Sequence, residues 1–340
     1  MTIQEVLLKA KENIGPRCKV CPECNGLACK GQIPGPGGKG TGVGFIRNYQ
    51  DLRKISLNMD TIYEAGEIDT STTLFGHRFE LPVFAGPVGA VAMHYSDVYN
   101  DQSYNASILT GCKEAGILAF TGDGVQDEVF EGAISAIDSI GGYGIPTIKP
   151  WKKDEIIKKI MMAERAGAVA VAMDIDTAGL AILAAQGKPV SPISVETLEE
   201  IVSATKLPLI LKGIMTVEGA KKALKAGASG IIVSNHGGRV LDETPSTISK
   251  LGEIVRAVGG QMTIFVDGGF RSGIDVFKAL ALGADGVLIA RPYVSAVYGG
   301  DVEGVKLYTE KIHKELKDAM LMTGCHTIKE ITMNKVTIEG

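Results

Sequence analysis

A histidine and an arginine lie three residues apart at the end of an apolar segment, with two glycines between them. The segment begins at Gly230 and reads GIIVSNHGGR, so His236 and Arg239 follow four apolar residues. An imidazole can take a proton near neutral pH, and a guanidinium is a rigid fork for a carboxylate or phosphate. The pattern predicts a buried strand that delivers both groups to a site at its C-terminal end. The alternative is a turn with a solvated arginine and a space-filling histidine.

Two other apolar segments also end in charged residues. Lys212 closes the segment PLILK, and Asp176 ends AVAVAMDID. A buried lysine is costly unless it meets an anion or an electron-rich ring, so Lys212 could form a Schiff base, stabilise an enolate or lie beside a flavin. Asp176 could orient His236 and raise its pKa, or it could cap the following turn. We expect the other four histidines at the surface: His77, His94, His313 and His326.

Glycines and arginines follow the last two predicted strands. One tip reads DGGFR from Asp267 to Arg271, and the other is Ala290-Arg291. Glycines let backbone N–H groups approach an anion, and barrels often build phosphate sites from these two loops. The pattern predicts a phosphorylated ligand or cofactor, although Asp267 and Arg271 could instead form a structural salt bridge.

Four of the six cysteines lie within twelve positions near the N-terminus: Cys18, Cys21, Cys24 and Cys29. Their C-x2-C-x2-C-x4-C spacing is near that of the bacterial ferredoxin run, without its final proline. Four thiolates on a loop can hold an iron–sulfur cluster or a zinc ion, and the alternative is a set of reduced, unliganded thiols. The Gly- and Pro-rich tract that follows predicts a loop, which could cover the mouth of a barrel.

The elements that must position these residues alternate between apolar strands and amphipathic helices. The sequence predicts a helix over residues 2–15, an irregular stretch with short strands near Ile68–Leu74, and a final helix over Glu303–Met322. Eight strands separated by helices predict a TIM barrel of class α/β with an N-terminal helical and Cys/Gly-rich extension. The predicted domains are residues 1–44 and 45–340. The predicted strands are Pro82–Val88, Ile117–Thr121, Ile145–Lys149, Val169–Asp176, Leu207–Lys212, Gly230–Asn235, Thr263–Asp267 and Gly286–Ala290.

Composition narrows the class of protein. The net charge is −4 and there is no basic run, which argues against nucleic acid as a partner. Apolar runs fall short of a membrane span, and the N-terminus has the pattern of an amphipathic helix rather than a signal peptide. We therefore predict a cytoplasmic protein without a membrane partner, in which the cysteines are thiols, metal ligands or redox groups.

Together these motifs resemble the FMN-dependent α-hydroxy-acid oxidase/dehydrogenase family, which includes glycolate oxidase, lactate oxidase and flavocytochrome b2. The resemblance runs from about Phe45 to Tyr298. It is most specific in the segments SNHGGRVLDETPSTI and VDGGFRSGIDVFKALALGADGVLIARPY. It implies an FMN-binding TIM barrel that oxidises a small 2-hydroxy acid, and family members are commonly tetramers or larger. Reduced FMN then needs an electron acceptor, either oxygen or a redox centre or protein.

The resemblance also assigns roles by matching position. His236 is implied to take the substrate hydroxyl proton while the α-hydride passes to flavin N5, with Asp176 as its partner. Arg239 is implied to clamp the substrate carboxylate, and Lys212 to lie against flavin N1/O2. The positions implied to contact FMN are Pro87, Val88, Gly89, Thr121, Thr147, Asp174, Lys212, Ser234, Asp267, Gly268, Gly269, Arg271, Ala290 and Arg291.

Several substrate-pocket positions depart from the family pattern. Lys149 stands where the family has a tyrosine, Asp174 where it has a threonine, and a second carboxylate-binding arginine is missing. We expect Lys149 to help bind the substrate in place of that arginine. Two alternatives stay open: an FMN-dependent isomerase of the type 2 isopentenyl-diphosphate isomerase kind, and a non-catalytic barrel that senses a metabolite through FMN or metal.

Overall fold

Eight parallel strands form a closed barrel at the centre of the computed structural model, which describes residues 1–180, 183 and 186–339. Each strand pairs with the next along the chain, and β8 pairs with β1 to close the ring. All eight strands predicted from the sequence are confirmed. Their bounds are β1 (Val83–Ala85), β2 (Leu118–Thr121), β3 (Ile145–Ile148), β4 (Val171–Asp174), β5 (Leu209–Ile214), β6 (Gly230–Val233), β7 (Thr263–Asp267) and β8 (Gly286–Ile289).

Helices precede, separate and follow these strands. Their bounds are α1 (Ile3–Ile14), α2 (Val43–Arg53), α3 (Val91–His94), α4 (Asp101–Glu114), α5 (Asp127–Ser139), α6 (Lys153–Arg165), α7 (Val195–Ser203), α8 (Val217–Lys225), α9 (Thr247–Val258), α10 (Gly273–Ala281) and α11 (Arg291–Thr323). None of the helices in the described residues combines the length and the apolar character that a membrane crossing needs.

Three sequence predictions about local structure need correction or extension. β4 ends at Asp174, and Asp176 lies in a 3-10 turn over Ile175–Gly179 instead of on the strand. The stretch expected to be irregular begins with α2, whose buried face includes Phe45, Asn48 and Leu52. The predicted final helix over Glu303–Met322 is confirmed as the part of α11 after the non-helical backbone of Asp301, but the helical turns from Arg291 to that kink were not predicted.

Local sequence chemistry sets the ends of the barrel helices. Side-chain oxygens at several N-caps accept a backbone N–H three residues on, which satisfies donors that a helix start leaves free. The Ala-Gly-Ala turns that lead into β4 and β6 place Gly167 and Gly227 at φ 69° and 82°, a conformation that glycine adopts without strain. The N-cap residues with this hydrogen bond include Ser194, Thr216, Ser246 and Ser272.

Apolar side chains fill the barrel and close its N-terminal end. Phe84, Phe120 and Phe265 pack edge to face inside the barrel. A hairpin of Thr72–Leu74 and His77–Phe79 adds Phe79, whose ring contacts Phe84. The hairpin leads into β1, so it plugs the end opposite the strand tips. The C-terminal end of the barrel is therefore the open one.

The segment between α1 and α2, residues 15–42, lies over that open end, and we call it the mouth loop. It contains 3-10 turns at Gly15–Arg17 and Leu27–Cys29. Its backbone is tied to the loop after β6, because Lys39 N donates to Gly238 O at 2.8 Å and Thr41 N donates to Asp242 Oδ2 at 2.6 Å. The predicted cover loop is thus observed. A domain boundary at residue 44 stays a prediction.

Candidate active site

A cavity of about 640 Å³ opens at the C-terminal ends of the barrel strands. Its volume suits a cofactor together with a small substrate. The structure brings most of the predicted site residues to its wall, although they come from β1, β3, β4, β5, β6, β7 and β8 or the loops after them. The lining includes Pro87, Val88, Gly89, Lys149, Asp174, Lys212, His236, Arg239, Asp267, Gly268, Gly269, Arg271, Ala290 and Arg291.

His236 lies directly beyond β6 with one ring nitrogen engaged inside the protein. Its Nδ1 is 3.1 Å from Asp176 Oδ1 and 3.2 Å from Lys212 Nζ. Its backbone has a φ of 56°, which is uncommon for a residue with a side chain and typical of functional sites. A ring whose Nδ1–H donates to Asp176 has its other nitrogen, Nε2, free to accept a proton.

A buried ion pair lies next to the histidine, on the side of the barrel interior. Lys212 Nζ donates to Asp174 Oδ1 at 2.8 Å, and both side chains are almost completely buried. Lys149 Nζ lies 4.0 Å from Asp174 Oδ2. We call Asp174, Asp176, Lys212 and His236 the catalytic cluster.

Within the catalytic cluster, charge pairing shifts the pKa values of Asp174 and Lys212 more than burial does. Burial alone would raise the pKa of Asp174, but Lys212, His236 and Lys149 outweigh it and hold that pKa below its usual range. Burial would likewise lower the pKa of Lys212, and the carboxylates of Asp174, Asp176 and Asp267 raise it instead. Lys212 is therefore a permanent cation at the bottom of the cavity.

Two carboxylates and an imidazole close together could also bind a metal ion. The ligand atoms of Asp174, Asp176 and His236 lie within 4.8 Å of one another. However, Lys212 Nζ is within 3.2 Å of both Asp174 and His236, so an ammonium already occupies the position between them. The arrangement is a charge network and not a metal centre.

The tip of β7 is joined to the tip of β6 through a serine. Ser234 Oγ donates to Asp267 Oδ2 at 2.9 Å and accepts from the His236 backbone N–H at 3.0 Å. Burial raises the pKa of Asp267, and the charge of Lys212 only partly offsets it. Asp267 and Arg271 do not form the salt bridge considered from sequence, since Arg271 bonds elsewhere.

The glycines after β7 have a reason that the sequence did not reveal. A Cβ on Gly269 would lie 2.0 Å from the backbone oxygen of Asn48, and one on Gly268 would lie 2.7 Å from the Asn48 side chain. Asn48 is fully buried and exchanges hydrogen bonds with Asn235 at 2.7 and 3.1 Å. This pair fixes α2 against the β6 and β7 tips. Sequence reasoning missed Asn48, because no local pattern distinguishes it.

Two buried threonines have unused hydroxyls. Thr121 at the end of β2 and Thr147 in β3 find no hydrogen-bond partner for Oγ1 within the described part of the chain. Asp267 Oδ1 also lacks a hydrogen-bond partner among the described residues. Buried polar atoms without partners are costly, and Asp267, whose Oδ1 lacks one, lines the cavity and can meet a polar ligand there. Thr121, Thr147, Ser234 and Asp176 lie outside the cavity lining itself.

The cations around the mouth hold backbone carbonyls of the mouth loop. Arg239 donates to Gly35 O and Gly37 O at 2.6 and 3.0 Å. Arg291 donates to Pro36 O at 2.8 Å, and Arg271 donates to Cys24 O at 2.8 and 3.0 Å. Burial and the charge of Arg291 lower the pKa of Arg239 to about 10, so it still carries its charge at neutral pH.

One histidine expected at the surface lies in the cavity wall. His94 Nδ1 accepts the Gly35 backbone N–H at 3.2 Å and lies 3.5 Å from Arg239 NH2. Burial, together with the charge of Arg239, lowers the pKa of His94 to about 3, so the ring is neutral. The prediction of a surface position for His94 is therefore wrong, whereas His77 is exposed. The error arose because α3, which carries His94, turns back over the cavity.

Asp123, after β2, holds the loop that carries Lys149. Its buried carboxylate accepts hydrogen bonds from Lys149 N at 3.0 Å, Trp151 Nε1 at 2.6 Å and Lys159 Nζ at 2.7 Å. These contacts fix the direction in which Lys149 leaves β3. The sequence did not reveal this function of Asp123.

The four N-terminal cysteines lie in the mouth loop, half-buried and beside the cavity cations. Arg271 NH2 is 3.6 Å from Cys24 Sγ, and the guanidinium of Arg291 is among the charges that act on Cys29. Burial raises the pKa of Cys18 to about 11 and also raises that of Cys29. Among the described residues, no three of these sulfurs come within 4.8 Å of one another.

The histidine–carboxylate pair, the buried lysine and the cationic mouth surround one cavity at the C-terminal end of the barrel. The family model described as FMN-dependent dehydrogenase matches residues 36–188 and 183–338. The chain belongs to this family, the FMN-dependent α-hydroxy-acid oxidases and dehydrogenases, and it is an FMN enzyme. The resemblance inferred from the two motif segments is confirmed.

Individual relatives agree along most of the chain. A peroxisomal (S)-2-hydroxyacid oxidase of Arabidopsis thaliana is 32% identical over 327 residues, covering 86% of this chain and 88% of the relative. A 4-hydroxymandelate oxidase of Amycolatopsis orientalis is 30% identical, covering 86% and 89%. A solved mandelate oxidase variant with 2-hydroxy-phenylacetamide has a TM-score of 0.80 at 26% identity, covering 99% and 97%.

Proposed function

We propose that the chain oxidises a small 2-hydroxy acid to the 2-oxo acid, with His236 as the base. The observation that carries this proposal is the contact at 3.1 Å between Asp176 and His236, because His236 lines the same cavity as Arg239. A base and a carboxylate clamp in one cavity suit a substrate that carries a hydroxyl beside a carboxylate. FMN, when bound, supplies the acceptor for the α-hydride at N5.

In this proposal each residue has a separate role in the proton transfer. Asp176 accepts the Nδ1–H of His236 and so keeps Nε2 unprotonated towards the substrate hydroxyl. After Nε2 takes that proton, the neighbouring carboxylates of Asp176 and Asp174 stabilise the imidazolium. Asp174 also balances Lys212, so the cluster gains a proton without isolating a buried charge.

Arg239 and Lys149 would bind the substrate carboxylate. The mouth loop uses Arg239 NH1, and NH2 lies 3.5 Å from His94 Nδ1, which leaves Nε–H and the second N–H of NH2 for an anion. Lys149 comes from the adjacent part of the wall, held by Asp123. A charged hydrogen bond contributes about 1.5–3 kcal/mol, so Lys149 can offset much of the missing second arginine. Met93, Val125 and Leu180 give the cavity an apolar side for the rest of the acid.

The residues that would hold FMN fit its chemistry. Lys212 supplies a permanent cation for flavin N1/O2, and Thr121 and Thr147 supply hydroxyls that lack partners in the described chain. The backbone of Pro87-Val88-Gly89 lines the same wall. The Asp267–Arg271 tip and Ala290-Arg291 would hold the ribitol and phosphate, and Ser234 and Asp174 are the remaining positions proposed to contact FMN.

The electron acceptor, location and assembly are parts of the same proposal. The relatives named above are oxidases, which supports oxygen as the acceptor, and the cysteines of the mouth loop point to a redox protein instead. A cytoplasmic location and a tetrameric or larger assembly stay predictions.

An anaerobic absorbance spectrum, repeated after addition of glycolate, lactate and longer 2-hydroxy acids, tests the reaction. We expect one class of acid to bleach the flavin bands. Mixing the bleached protein with oxygen then measures whether oxygen restores them. A flavin that no hydroxy acid bleaches would overturn the proposal and favour the isomerase.

The His236→Ala variant tests the base. We expect it to keep FMN and to lose turnover by about 10²–10⁴-fold, because general base catalysis contributes that much. His77→Ala is the matched control, since His77 is exposed and lies outside the cavity lining. Turnover that survives in His236→Ala would show that another group takes the proton.

A further inference from the structure

We propose that Cys18, Cys21, Cys24 and Cys29 bind an iron–sulfur cluster of the four-iron type in the mouth loop. We further propose that this cluster takes electrons from reduced FMN and gives them to a one-electron carrier protein. The first statement stands on the cysteines themselves, and the second rests on the proposed oxidation of a hydroxy acid.

The distribution of the thiols sets these four cysteines apart from the other two. Cys112 and Cys325 are buried in the hydrophobic core, where a cysteine behaves as a small apolar residue. The four in the mouth loop are half-buried and lie within twelve positions of the sequence. They are carried by irregular backbone with two short 3-10 turns, which can place sulfurs around a cluster without the constraints of a helix.

The sulfurs of the mouth loop are not gathered at the spacing of a single zinc site. Tetrahedral zinc with Zn–S bonds of about 2.3 Å brings its thiolates within about 3.8 Å of one another. In the described structure no three of the four sulfurs lie within 4.8 Å of one another. A four-iron cluster holds its cysteines farther apart, because each thiolate binds a different iron at a separate corner. The described sulfurs are therefore not arranged for one zinc ion, but Cys18 lies near enough to the other three for their charges to act on it. The choice of a cluster rests on this proximity and on the ferredoxin-like spacing of the four cysteines in the sequence.

The surroundings of the loop suit a centre with negative charge. Arg271 binds Cys24 at both its carbonyl and its sulfur, the latter at 3.6 Å, and hydrogen bonds to sulfur are a feature of iron–sulfur sites. Arg291 and Arg239 add two more cations on the cavity side of Cys29. The same arginines line the flavin cavity, so the cluster would lie next to the cofactor.

The electron balance follows from the chemistry of the two centres. One hydroxy acid gives two electrons and two protons when it becomes the oxo acid. The cluster accepts one electron at a time, so reduced FMN discharges in two successive transfers. Each electron then passes to one oxidised carrier protein. Overall, one hydroxy acid and two oxidised carriers give one oxo acid, two reduced carriers and two protons.

Metal analysis of the full-length holoenzyme, purified without oxygen and reconstituted with ferrous iron and sulfide, tests the site. We expect about four iron and four sulfide per chain, with a paramagnetic resonance signal after reduction by dithionite. Cys24→Ser should lose most of the iron and the signal while it keeps FMN. Cys325→Ser, which changes a thiol in the core, should keep both. Retained FMN shows that each variant is folded.

Other outcomes overturn a defined part of the proposal. One zinc per chain, or no iron and sulfide after reconstitution, overturns the cluster. A hydroxy acid that bleaches the flavin without producing the resonance signal overturns the electron transfer alone. If dithionite produces the signal and no hydroxy acid bleaches the flavin, the cluster stands and the proposed oxidation fails.

Discussion

The catalytic cluster and the mouth loop face each other across the same cavity, but they are held in different ways. Asp174, Lys212 and His236 stand at or directly after β4, β5 and β6, and buried charges hold them together. The mouth loop, in contrast, is held mainly by arginines and N–H groups that bond to backbone oxygens or to the partly exposed Asp242.

The two regions differ in whether their charged groups can exchange one bonding partner for another. The ammonium of Lys212 is closer to Asp174 than that of Lys149, and removing one partner of such a buried pair leaves the other charge poorly paired. The carbonyls that Arg239, Arg271 and Arg291 hold can be replaced by a carboxylate or a phosphate, which are better acceptors for a guanidinium. The side chains of the catalytic cluster therefore keep their partners, whereas the mouth loop can exchange its partners when anions enter the cavity.

The largest expected effect comes from Lys212→Met, which leaves Asp174 buried without its closest cation. We expect the free energy of unfolding to fall by about 3–5 kcal/mol, measured by urea unfolding. Lys221→Met removes an exposed pair with Glu218 and should cost less than about 1 kcal/mol. Equal losses of unfolding free energy in the two variants would show that the buried pair of Lys212 is no more important for stability than an exposed pair.

His94→Gln tests the contact between the cavity wall and the mouth loop, where the His94 ring accepts the backbone N–H of Gly35. His94 has a pKa of about 3 in the folded protein and 6.5 as its ordinary value, so the unfolded chain binds its proton first as the pH falls. Its stabilising contribution is complete above pH 6.5 and is lost progressively towards pH 3.

We therefore expect the unfolding free energy to decline less between pH 7 and pH 4 in His94→Gln than in the unchanged protein, measured by urea unfolding at each pH. His77→Gln, at an exposed position, should follow the unchanged protein. Parallel curves for all three proteins would mean that His94 is accessible to protons in the fold.

The smallest effect is expected from Asp242→Asn, which weakens the acceptor for Thr41 N and Thr41 Oγ1. We expect limited proteolysis within the mouth loop to become a few times faster, while the urea midpoint stays unchanged. Asp69→Asn is the control, because Asp69 accepts the Ser71 N–H on another surface. A large drop in the midpoint would show that the loop is part of the cooperative core.

Much of the catalytic cluster could be predicted from the sequence. Lys212 and Asp176 each end an apolar segment and His236 follows one, and parallel strands in a barrel deliver such residues to one end. Asp174 was predicted as an FMN contact and as a departure from the family pattern, but its pairing with Lys212 was not foreseen. Strand periodicity reveals which residues are delivered, but not which of them bond to each other.

The sequence by itself determined the order of eight strand–helix units, and with it the barrel and the end at which polar residues gather. Only the tertiary structure decided that His94 lines the cavity, that Asn48 fixes α2, and that Arg239 reaches Gly35. These contacts join residues that lie far apart in the chain, such as the 204 positions between Gly35 and Arg239. Strands and helices follow from the periodicity of neighbouring residues, whereas contacts between loops depend on where the completed barrel places them.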